Sequence, residues 1–300
     1  MAVAILRVVV ESPPAEPVVA SAALEAVRAR LDPALLGFLA DRRAELAAMD
    51  PSAAVLVDEL ERLVRAGGKR IRPALCYWAF RAAGGADGDP IVSVGVGLEL
   101  LHTSALVHDD VMDGGTVRRG LPASHVRFAN EAPPGLDAAA FGVAAAILVG
   151  DLALVFSEQA LRISGFGGEA LSRAMSRFDR MRTEMATGQF LDVSEAADRA
   201  RVAALKSGSY TAVGPVLIGT ALAGAGAAVE GPLGVFAGLV GAAFQLRDDV
   251  VDGEAPPGAA SEVGARIDRA VRSLEGAPLE PEGAAALLEL AELLRLPEGA

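Results

Sequence analysis

Two aspartate-rich motifs of the same form stand far apart in the chain. The first is DDVMD at 109–113 and the second is DDVVD at 248–252, and each follows an apolar run. In a helix, the outer aspartates of each motif are four residues apart, so their like charges share one face and repel. A cation is therefore expected nearby. Carboxylate oxygens suit hard dications such as Mg²⁺, which proteins commonly share between a few carboxylates and the phosphates of a substrate.

Lysine is rare in this chain, whereas arginine is common. Of the 27 lysines and arginines, only Lys69 and Lys206 are lysines. An ammonium group meets a phosphate oxygen as a compact point charge, and we interpret both lysines as phosphate contacts. Lys69 lies in GGKRIRP at 67–73, at the predicted start of a helix, where backbone N–H groups also favour an anion.

Cationic residues also follow the first aspartate motif. Arg118 and Arg119 come five and six residues after Asp113. Surface ion pairs among these charges would contribute under about 1 kcal/mol each, so stability gives little reason for the cluster. A metal-bridged polyphosphate explains both signs of charge, because aspartate binds the metal and arginine binds the phosphate. The second motif has Gln245 one turn before Asp248.

The elements that must position these residues are predicted to be helices, because apolar residues recur at spacings of three and four. The longer predicted helices cover 21–48, 52–64, 90–113, 138–164, 168–195 and 232–252. Separate helices are predicted at 198–208 and 211–227, and a Pro/Gly-rich loop at 116–136. No stretch shows sustained strand alternation. We therefore predict one all-α domain at 21–300, a bundle of roughly 10–13 helices around a deep central cavity, after a flexible N-terminal tail at 1–20.

The composition narrows the class of protein. The chain has 300 residues and is 52% hydrophobic, which is enough for a large core, and its net charge of −12 argues against a nucleic-acid partner. A single cysteine, Cys76, excludes a disulfide framework and favours a reducing compartment, so we expect a cytoplasmic protein. Segment 211–229 is uncharged but contains Pro215, and we interpret it as a buried helix. We expect no transmembrane segment.

Five motifs, in order along the chain, resemble those of the trans-polyprenyl diphosphate synthases, which have the class I isoprenoid synthase fold. They are GGKRIRP at 67–73, HTSALVHDDVMDGGTVRRG at 102–120, GQFLD at 188–192, KSGSYT at 206–211 and FQLRDDVVD at 244–252. The resemblance covers about residues 25–252. It implies that isopentenyl diphosphate condenses with an allylic diphosphate (dimethylallyl, geranyl or farnesyl diphosphate) after the allylic diphosphate ionises, and that a proton is then lost. It also implies a homodimer.

The resemblance assigns roles to residues that match the family's motifs. The carboxylates expected to hold about three Mg²⁺ ions are Asp109, Asp113 and Asp248, with Asp110, Asp249 and Asp252 as further ligands. The residues expected to bind isopentenyl diphosphate are Lys69, Arg72, His102 and Arg119. The residues expected to face the allylic diphosphate and to serve catalysis are Arg118, Lys206, Ser207 and Gln245, where Ser207 replaces the family's usual threonine.

Product length is expected to depend on residues one turn before Asp109. Bulky aromatic residues at these positions stop chain growth early in the family, whereas Ser104 and Ala105 are small. The resemblance therefore favours a longer product, geranylgeranyl diphosphate. A different floor for the cavity stays open, and its candidates are Phe141, Phe156 and Met185.

One segment departs from the family's pattern. After Asp252 the family usually has a glycine-rich loop with lysines that close over the diphosphates, whereas residues 253–271 contain no lysine. Arg266 or Arg269 are candidates to replace them.

Two alternative functions stay open. One is a class I terpene cyclase, but the second aspartate motif and the two cationic motifs argue against it. The other is a weakly active subunit of a hetero-oligomeric synthase, but the complete aspartate motifs argue against it.

Overall fold

The computed structural model describes residues 21–195 and 198–297, apart from the side chains of residues 199, 200 and 207, so the predicted tail at 1–20 lies outside the described residues. Within the described ranges the protein is almost entirely helical, which confirms the predicted all-α class. The helices are α1 Ala22–Met49, α2 Ala54–Arg65, α3 Ile71–Ala82, α4 Asp89–Met112, α5 Ser124–Asn130, α6 Ala138–Arg162, α7 Gly168–Val193, α8 Arg199–Ala203, α9 Gly214–Leu222, α10 Ala227–Val251, α11 Ala259–Ser273 and α12 Pro281–Glu292. A 3₁₀ turn at Pro51–Ala53, a π-helical stretch at Ala204–Val213 and two strands, β1 Val117–Arg118 and β2 Leu121–Pro122, complete the described elements.

Helix ends follow the usual local signals. Ser21 caps α1, because its side chain accepts a hydrogen bond from the N–H of Leu24. Proline in the first turn of α4 lacks an N–H group at a position where none is needed. Gly253, with a φ of +75°, follows the end of α10. The predicted ends of α1 and α4 agree with the structure to within one residue.

The segment at 116–136, predicted to be a loop, contains a small hairpin and a helix. Val117 pairs with Pro122 and Arg118 pairs with Leu121 in an antiparallel register. Arg119 and Gly120 form the turn with φ of +52° and +75°, and a two-residue hairpin turn of this kind needs positive φ at both positions. Strands of two residues are too short to give a detectable alternation in the sequence, so this part of the prediction was wrong.

The helices predicted at 198–208 and 211–227 form one continuous helical rod that ends at Leu222. It runs through α8, the π-helical stretch and α9 without a break. Pro215 has no N–H group and its ring would collide with the preceding turn of a regular α-helix, and we attribute the wider π turns before it to this conflict. The π-helical stretch carries Lys206 and Tyr210. Most of α9 is buried, as the sequence predicted for this uncharged segment.

The helices that carry the aspartate motifs belong to different parts of the bundle. α4 packs against α1, α3 and α6, whereas α10 packs against α11 and the π-helical stretch. α3 lies between the two groups, because it contacts both α4 and α9. The start of α3 and the π-helical stretch are therefore positioned to connect the two motif-bearing helices.

Three helices are long and apolar enough to cross a membrane, judged by length and composition alone. They are α4, α6 and α10, and 67%, 39% and 33% of their most apolar windows are buried inside the fold. Two of them end in an aspartate motif. The uncharged segment at 211–229, interpreted from the sequence as a buried helix, is not among them.

Gly188 allows α7 to approach the π-helical stretch closely. A Cβ atom at this position would overlap with the backbone nitrogen of Lys206 and would lie 2.8 Å from the carbonyl carbon of Leu205. Both neighbours are backbone atoms, which cannot move aside as a side chain can. The glycine of the GQFLD motif therefore fixes how close Lys206 comes to α7.

We expect Gly188→Ala to lower the free energy of unfolding by about 1–3 kcal/mol, because the added methyl group overpacks this contact. Gly238→Ala is the matched control in α10, where nothing lies within 4 Å of an added Cβ atom. That control should stabilise the protein by up to about 1 kcal/mol, since alanine favours a helix. Denaturant unfolding of both variants measures the difference, and wild-type stability for Gly188→Ala would contradict the close contact.

Candidate active site

The first aspartate motif forms the end of α4. Asp113 is the C-cap residue, and its N–H donates to the carbonyl oxygen of Asp109 at 2.8 Å. The last turn of α4 contains no basic residue. The carboxylates therefore meet the negative end of the helix dipole, which disfavours them. Burial and the neighbouring Asp109 raise the pKa of Asp113, and the charges of Lys206 and Arg118 oppose this rise only in part.

The second motif ends α10 in the same way. Asp252 is the C-cap residue, its N–H donates to the carbonyl oxygen of Asp248 at 2.9 Å, and the last turn again has no basic residue. Burial raises the pKa of Asp248 to about 6, although Arg247 and Lys69 lower it by attraction. Cations placed near Asp248 therefore offset only part of the cost of its charge.

Arg118 is already paired with the first motif. Its Nε donates to Asp110 Oδ1 at 3.0 Å, its Nη2 makes a second hydrogen bond to the same oxygen, and Nη2 lies 3.8 Å from Asp109 Oδ2. The Asp110 side chain is 4% exposed, whereas that of Asp109 is 28% exposed. Asp110, predicted as a further metal ligand, is thus held by an arginine, and Asp109 has the more accessible carboxylate.

Lys206 also lies at the first motif, together with two residues of α7. Its Nζ is 2.6 Å from Asp192 Oδ2 and 3.4 Å from Asp109 Oδ1. Gln189 Nε2 donates to Asp109 Oδ1 at 3.2 Å. The sequence analysis quoted the GQFLD segment without giving a role to Gln189 or Asp192. Their spacing of three residues, which places both on one helix face, was the available signal.

Arg72 and His102 contact the same tyrosine of the π-helical stretch. His102 Nδ1 is hydrogen-bonded to the Tyr210 hydroxyl group at 2.9 Å, and the Arg72 guanidinium lies 4.2 Å from the centre of the Tyr210 ring. Arg72 Nη2 donates to Thr211 Oγ1 at 2.9 Å. Arg72 Nε is buried and has no hydrogen-bond partner among the described residues. Tyr210, which the sequence analysis left without a role, holds these two predicted anion-binding residues together.

The surroundings of His102 favour the neutral form of its imidazole. Burial is the main cause that lowers its pKa well below the usual value, and the charges of nearby arginines lower it further. The arginines are Arg72, Arg119, Arg70 and Arg118. A neutral imidazole can donate one hydrogen bond without adding to the positive charge of this cluster.

Arg119 contacts the loop before α3, and that loop carries Lys69. Arg119 Nη1 donates to the carbonyl oxygens of Gly67 and Leu63, the latter at 3.3 Å. Lys69 is exposed, and its charge interacts with that of Asp248. Arg119 and Lys69 make no ion pair with a carboxylate in the described part of the chain, so both can accept an anion from outside.

The remaining residues at the second motif are engaged in local contacts. Gln245 Nε2 donates to Asp249 Oδ1 at 2.8 Å, one turn further along α10. Asp252 is exposed. The side chain of Ser207, predicted to serve catalysis, lies outside the described residues.

The two arginines considered as replacements for lid lysines are held elsewhere. Arg266 Nη1 donates to the carbonyl oxygen of Ala242 at 2.8 Å, and Arg266 Nε donates to Glu262 at 2.9 Å. Arg269 is also paired with Glu262, at 3.0 Å. Among the described contacts, neither arginine reaches an aspartate of the second motif. The positive charge that acts on Asp248 comes instead from Arg247, Lys69 and Arg72.

Contacts and charge interactions relate the predicted site residues to one another. The charges of Lys69 and Arg72 act on Asp248, Tyr210 contacts both Arg72 and His102, and the charges of four arginines, Arg118 among them, act on His102. Lys206 closes the first motif from the side of the π-helical stretch. The site therefore has a carboxylate-rich part at two helix ends and a cation-rich part around His102.

The carboxylates fit magnesium that is shared with a substrate. No group of three or more His, Cys, Asp or Glu side chains in the described residues is close enough to hold a metal ion alone. The donors are hard carboxylate oxygens, and those of Asp109 and Asp248 are partly accessible. Mg²⁺ suits such a set, because it is usually held by one or two carboxylates together with water and phosphate oxygens.

A helical bundle in which two helices end in aspartates with cations nearby is the arrangement expected of an isoprenoid synthase. The polyprenyl synthetase family model matches residues 53–264. The chain therefore belongs to the polyprenyl synthetase family, as its motifs indicated.

Similar proteins include enzymes with different products. The chain is 34% identical over 204 residues to the geranylgeranyl diphosphate synthase of Methanosarcina mazei, a match of 65% of this chain and 57% of the relative. It is 33% identical over 200 residues to the geranylfarnesyl diphosphate synthase of Aeropyrum pernix, a match of 63% of this chain and 58% of the relative. The matched region thus spans less than three fifths of the length of either relative.

Solved structures of the same fold cover almost the whole chain. A geranylgeranyl pyrophosphate synthase from Corynebacterium glutamicum, determined in complex with isoprenyl diphosphate and magnesium, superposes with a TM-score of 0.79 at 25% identity. The superposition covers 90% of this chain and 97% of that one. It confirms the predicted isoprenoid synthase fold.

We expect Asp248→Asn to raise the melting temperature of the metal-free protein by about 1–3 °C at pH 7.5. With a pKa of about 6 in the folded protein and 3.8 as its ordinary value, ionised Asp248 disfavours folding at neutral pH. The gain should shrink as the pH falls from about 6 towards 4, because the folded wild-type protein is then protonated at this residue. Thermal unfolding in a chelator measures it.

Asp268→Asn is the matched control. Asp268 accepts a hydrogen bond from Arg295 at 2.5 Å, which lowers the pKa of Asp268. Removal of that charge should lower the melting temperature or leave it unchanged. If Asp248→Asn instead lowered the melting temperature in the chelator, the claim that nearby cations compensate Asp248 only in part would be wrong.

Proposed function

We propose that the protein is a trans-prenyltransferase that condenses isopentenyl diphosphate with an allylic diphosphate to give a longer all-trans prenyl diphosphate. The observation that carries this proposal is the division of the site into two parts. Aspartates whose charge is only partly compensated end α4 and α10, while Arg119 and Lys69 make no ion pair with a carboxylate within the described residues. One part suits a metal-bound diphosphate and the other suits a diphosphate without metal.

The allylic diphosphate is proposed to bind between the aspartate motifs, Arg118 and Lys206. Scission of its C–O bond leaves the diphosphate with additional negative charge and leaves an allylic carbocation. Arg118 and Lys206 are proposed to stabilise the leaving diphosphate, and both would exchange part of their contacts with Asp110 and Asp192 for phosphate oxygens. Charges that are fixed in advance in a partly buried site act most strongly where new charge develops.

Mg²⁺ is the proposed cofactor, with Asp109, Asp113 and Asp248 as principal ligands and about three ions in each site. When bound, it neutralises the diphosphate and favours departure of that group. Asp249 and Asp252 are proposed as further ligands. Asp110 is the least accessible of the six aspartates, since Arg118 engages its carboxylate.

Isopentenyl diphosphate is proposed to bind at Lys69, Arg72, Arg119 and His102. Neutral His102 would donate a hydrogen bond to the diphosphate while Tyr210 holds its other ring nitrogen. The double bond of isopentenyl diphosphate attacks the carbocation, and the proton released from the adduct passes to the departed diphosphate. Gln245 and Ser207 are proposed to orient partial negative charge towards the cation.

Incubation of the purified chain with Mg²⁺, isopentenyl diphosphate and dimethylallyl, geranyl or farnesyl diphosphate tests the proposal. The expected result is a longer prenyl diphosphate that forms only when both substrates and Mg²⁺ are present. Release of a hydrocarbon from geranylgeranyl diphosphate alone would identify a terpene cyclase instead. Lack of product from the chain by itself, with activity restored by a second subunit, would identify a partner of a hetero-oligomeric synthase.

Product length is proposed to be set at and below Ala105. Ala105 and Met185 both pack against one apolar core and stay partly exposed, whereas Ser104 is buried. Of the other candidates for the floor, Phe156 is buried in the larger core and packs edge-on against Phe38, with ring centres 6.3 Å apart. A small residue at 105 adds little volume on this side of α4, which would leave room for a longer chain. We propose geranylgeranyl diphosphate as the product.

Ser104→Phe should shift the products to shorter chains, because a phenyl ring one turn before Asp109 shortens the space for the growing chain. Chromatography of the dephosphorylated products measures their length. Ser104→Ala, which removes the hydroxyl group without adding volume, is the control. Unchanged product length in Ser104→Phe would place the floor elsewhere, with Met185 as the next candidate.

We also propose that the protein is a homodimer in the cytoplasm. An apolar stripe on α6 supports the dimer, because Val143, Ile147, Leu148 and Val155 are between 39% and 53% exposed and lie along one face. Light scattering should give twice the mass of the chain, and a monomeric mass would exclude the dimer.

The single cysteine is buried and supports the proposal of a reducing compartment such as the cytoplasm. Localisation of a tagged chain tests this proposal.

A further inference from the structure

A buried ion pair lies behind the cation-rich part of the site. Arg70 is 4% exposed and Glu99 is 2% exposed, and Arg70 Nη1 donates to Glu99 Oε1 at 2.5 Å. Burial of two charges costs free energy that their attraction offsets only in part, so a pair of this kind contributes little to stability. Stability therefore does not explain why this pair is present, and the proposed mechanism assigns no role to either residue.

Arg70 ties three helices to the loop before α3. In addition to Glu99 in α4, it donates through Nε to Asp32 Oδ1 in α1 at 2.9 Å and through Nη2 to the carbonyl oxygen of Val64 in α2 at 3.0 Å. Its backbone adopts a left-handed conformation with a φ of +56°. Such a conformation is unfavourable for a residue other than glycine and persists only where surrounding contacts enforce it. The three side-chain hydrogen bonds supply that enforcement.

Arg119 is braced against the same loop. It donates to the carbonyl oxygens of Gly67 and Leu63, and it also has a left-handed backbone. Gly68 separates the two guanidinium groups, since a Cβ atom there would lie 2.8 Å from Arg70 Nη1 and 3.1 Å from Arg119 Nη2. A shift of the Arg70 side chain would therefore move the loop at Gly67 and Gly68, against which Arg119 packs.

Glu99 acts on the same cluster from α4. It precedes His102 by one turn, and its carbonyl oxygen accepts a hydrogen bond from Thr103 Oγ1 at 3.0 Å. Burial is the main cause that lowers the pKa of Arg119, and the carboxylate of Glu99 opposes this by attraction. Glu99 thus compensates positive charge that would otherwise repel within the cluster.

We propose that the Arg70–Glu99 pair is a positioning device for the isopentenyl diphosphate subsite. It fixes the loop at 66–69, so that Arg119 and Lys69 hold their places before the anion binds. Cations fixed in advance lose less freedom on binding, which increases affinity for the anion. The inference rests on the proposed function, but it concerns two residues that do not themselves touch the diphosphate.

Glu99→Gln tests this role through the separate KM values of the two substrates and through equilibrium binding of isopentenyl diphosphate without Mg²⁺. The affinity for isopentenyl diphosphate should fall about tenfold or more, with a matching rise in its KM, while the KM of the allylic substrate changes less than about twofold. Arg118 and Lys206, which serve the allylic subsite, have other partners. Glu230→Gln is the control, because it removes the ion pair of Arg177 between α7 and α10. Neither KM should change in that variant.

The double variant Arg70→Met/Glu99→Leu separates positioning from stability. Replacement of both members of a buried pair by apolar residues can preserve stability, so its melting temperature should stay close to that of the wild type. Its affinity for isopentenyl diphosphate should nevertheless remain about tenfold weaker. Wild-type affinity in the double variant, or an equal rise of both KM values in Glu99→Gln, would overturn the inference. Absence of isopentenyl diphosphate binding to the wild-type protein would overturn the proposed function instead.

Discussion

Negative charge at the C-terminal ends of two apolar helices is the constraint on which the rest of the structure depends. α4 and α10 both end in aspartates without a basic residue in the last turn. The helix dipole and the repulsion of like charges both oppose this arrangement. Other elements must therefore supply the positive charge. Arg118 comes from the small hairpin, Lys206 from the π-helical stretch and Lys69 from the loop before α3.

Nearby cations compensate the negative charge of some aspartates better than that of others, and this difference determines what the site can bind. Asp110 has a full partner in Arg118, whereas burial leaves Asp248 with a raised pKa. A dication and a diphosphate together would satisfy the aspartates that the protein leaves undercompensated. The cation-rich part around His102 requires negative charge instead, since Arg119 makes no ion pair with a carboxylate in the described residues. Tyr210 holds two residues of this cation-rich part together, because it contacts both His102 and Arg72.

The sequence predicted those parts of the fold and site that depend on local patterns. Long apolar helices have a strong period, so α1 and α4 were located to within one residue. Motif order identified the family, which the family match confirmed. The two-residue strands beside Arg119 and the π-helical stretch were missed, because strands so short and a change of helix type leave no periodic signal.

The sequence also could not predict which side chains from distant parts of the chain would pair. The pairing of Lys206 with Asp192, and of Arg70 with Glu99 across 29 residues, depends on how the helices pack. Charge alone gave Arg70 no distinction from its neighbours Lys69 and Arg72. Burial separates them, because Arg70 is enclosed while Lys69 is exposed.

The central claim is that both aspartate motifs act on one magnesium-bound diphosphate, and a double-mutant cycle tests it most directly. Calorimetric binding of inorganic pyrophosphate in the presence of Mg²⁺ would be measured for the wild type, Asp109→Asn, Asp248→Asn and the double variant. The account predicts that each single substitution weakens binding and that the double variant loses much less affinity than the product of the two single effects, because both residues serve one cluster. Independent, multiplicative losses would contradict the claim.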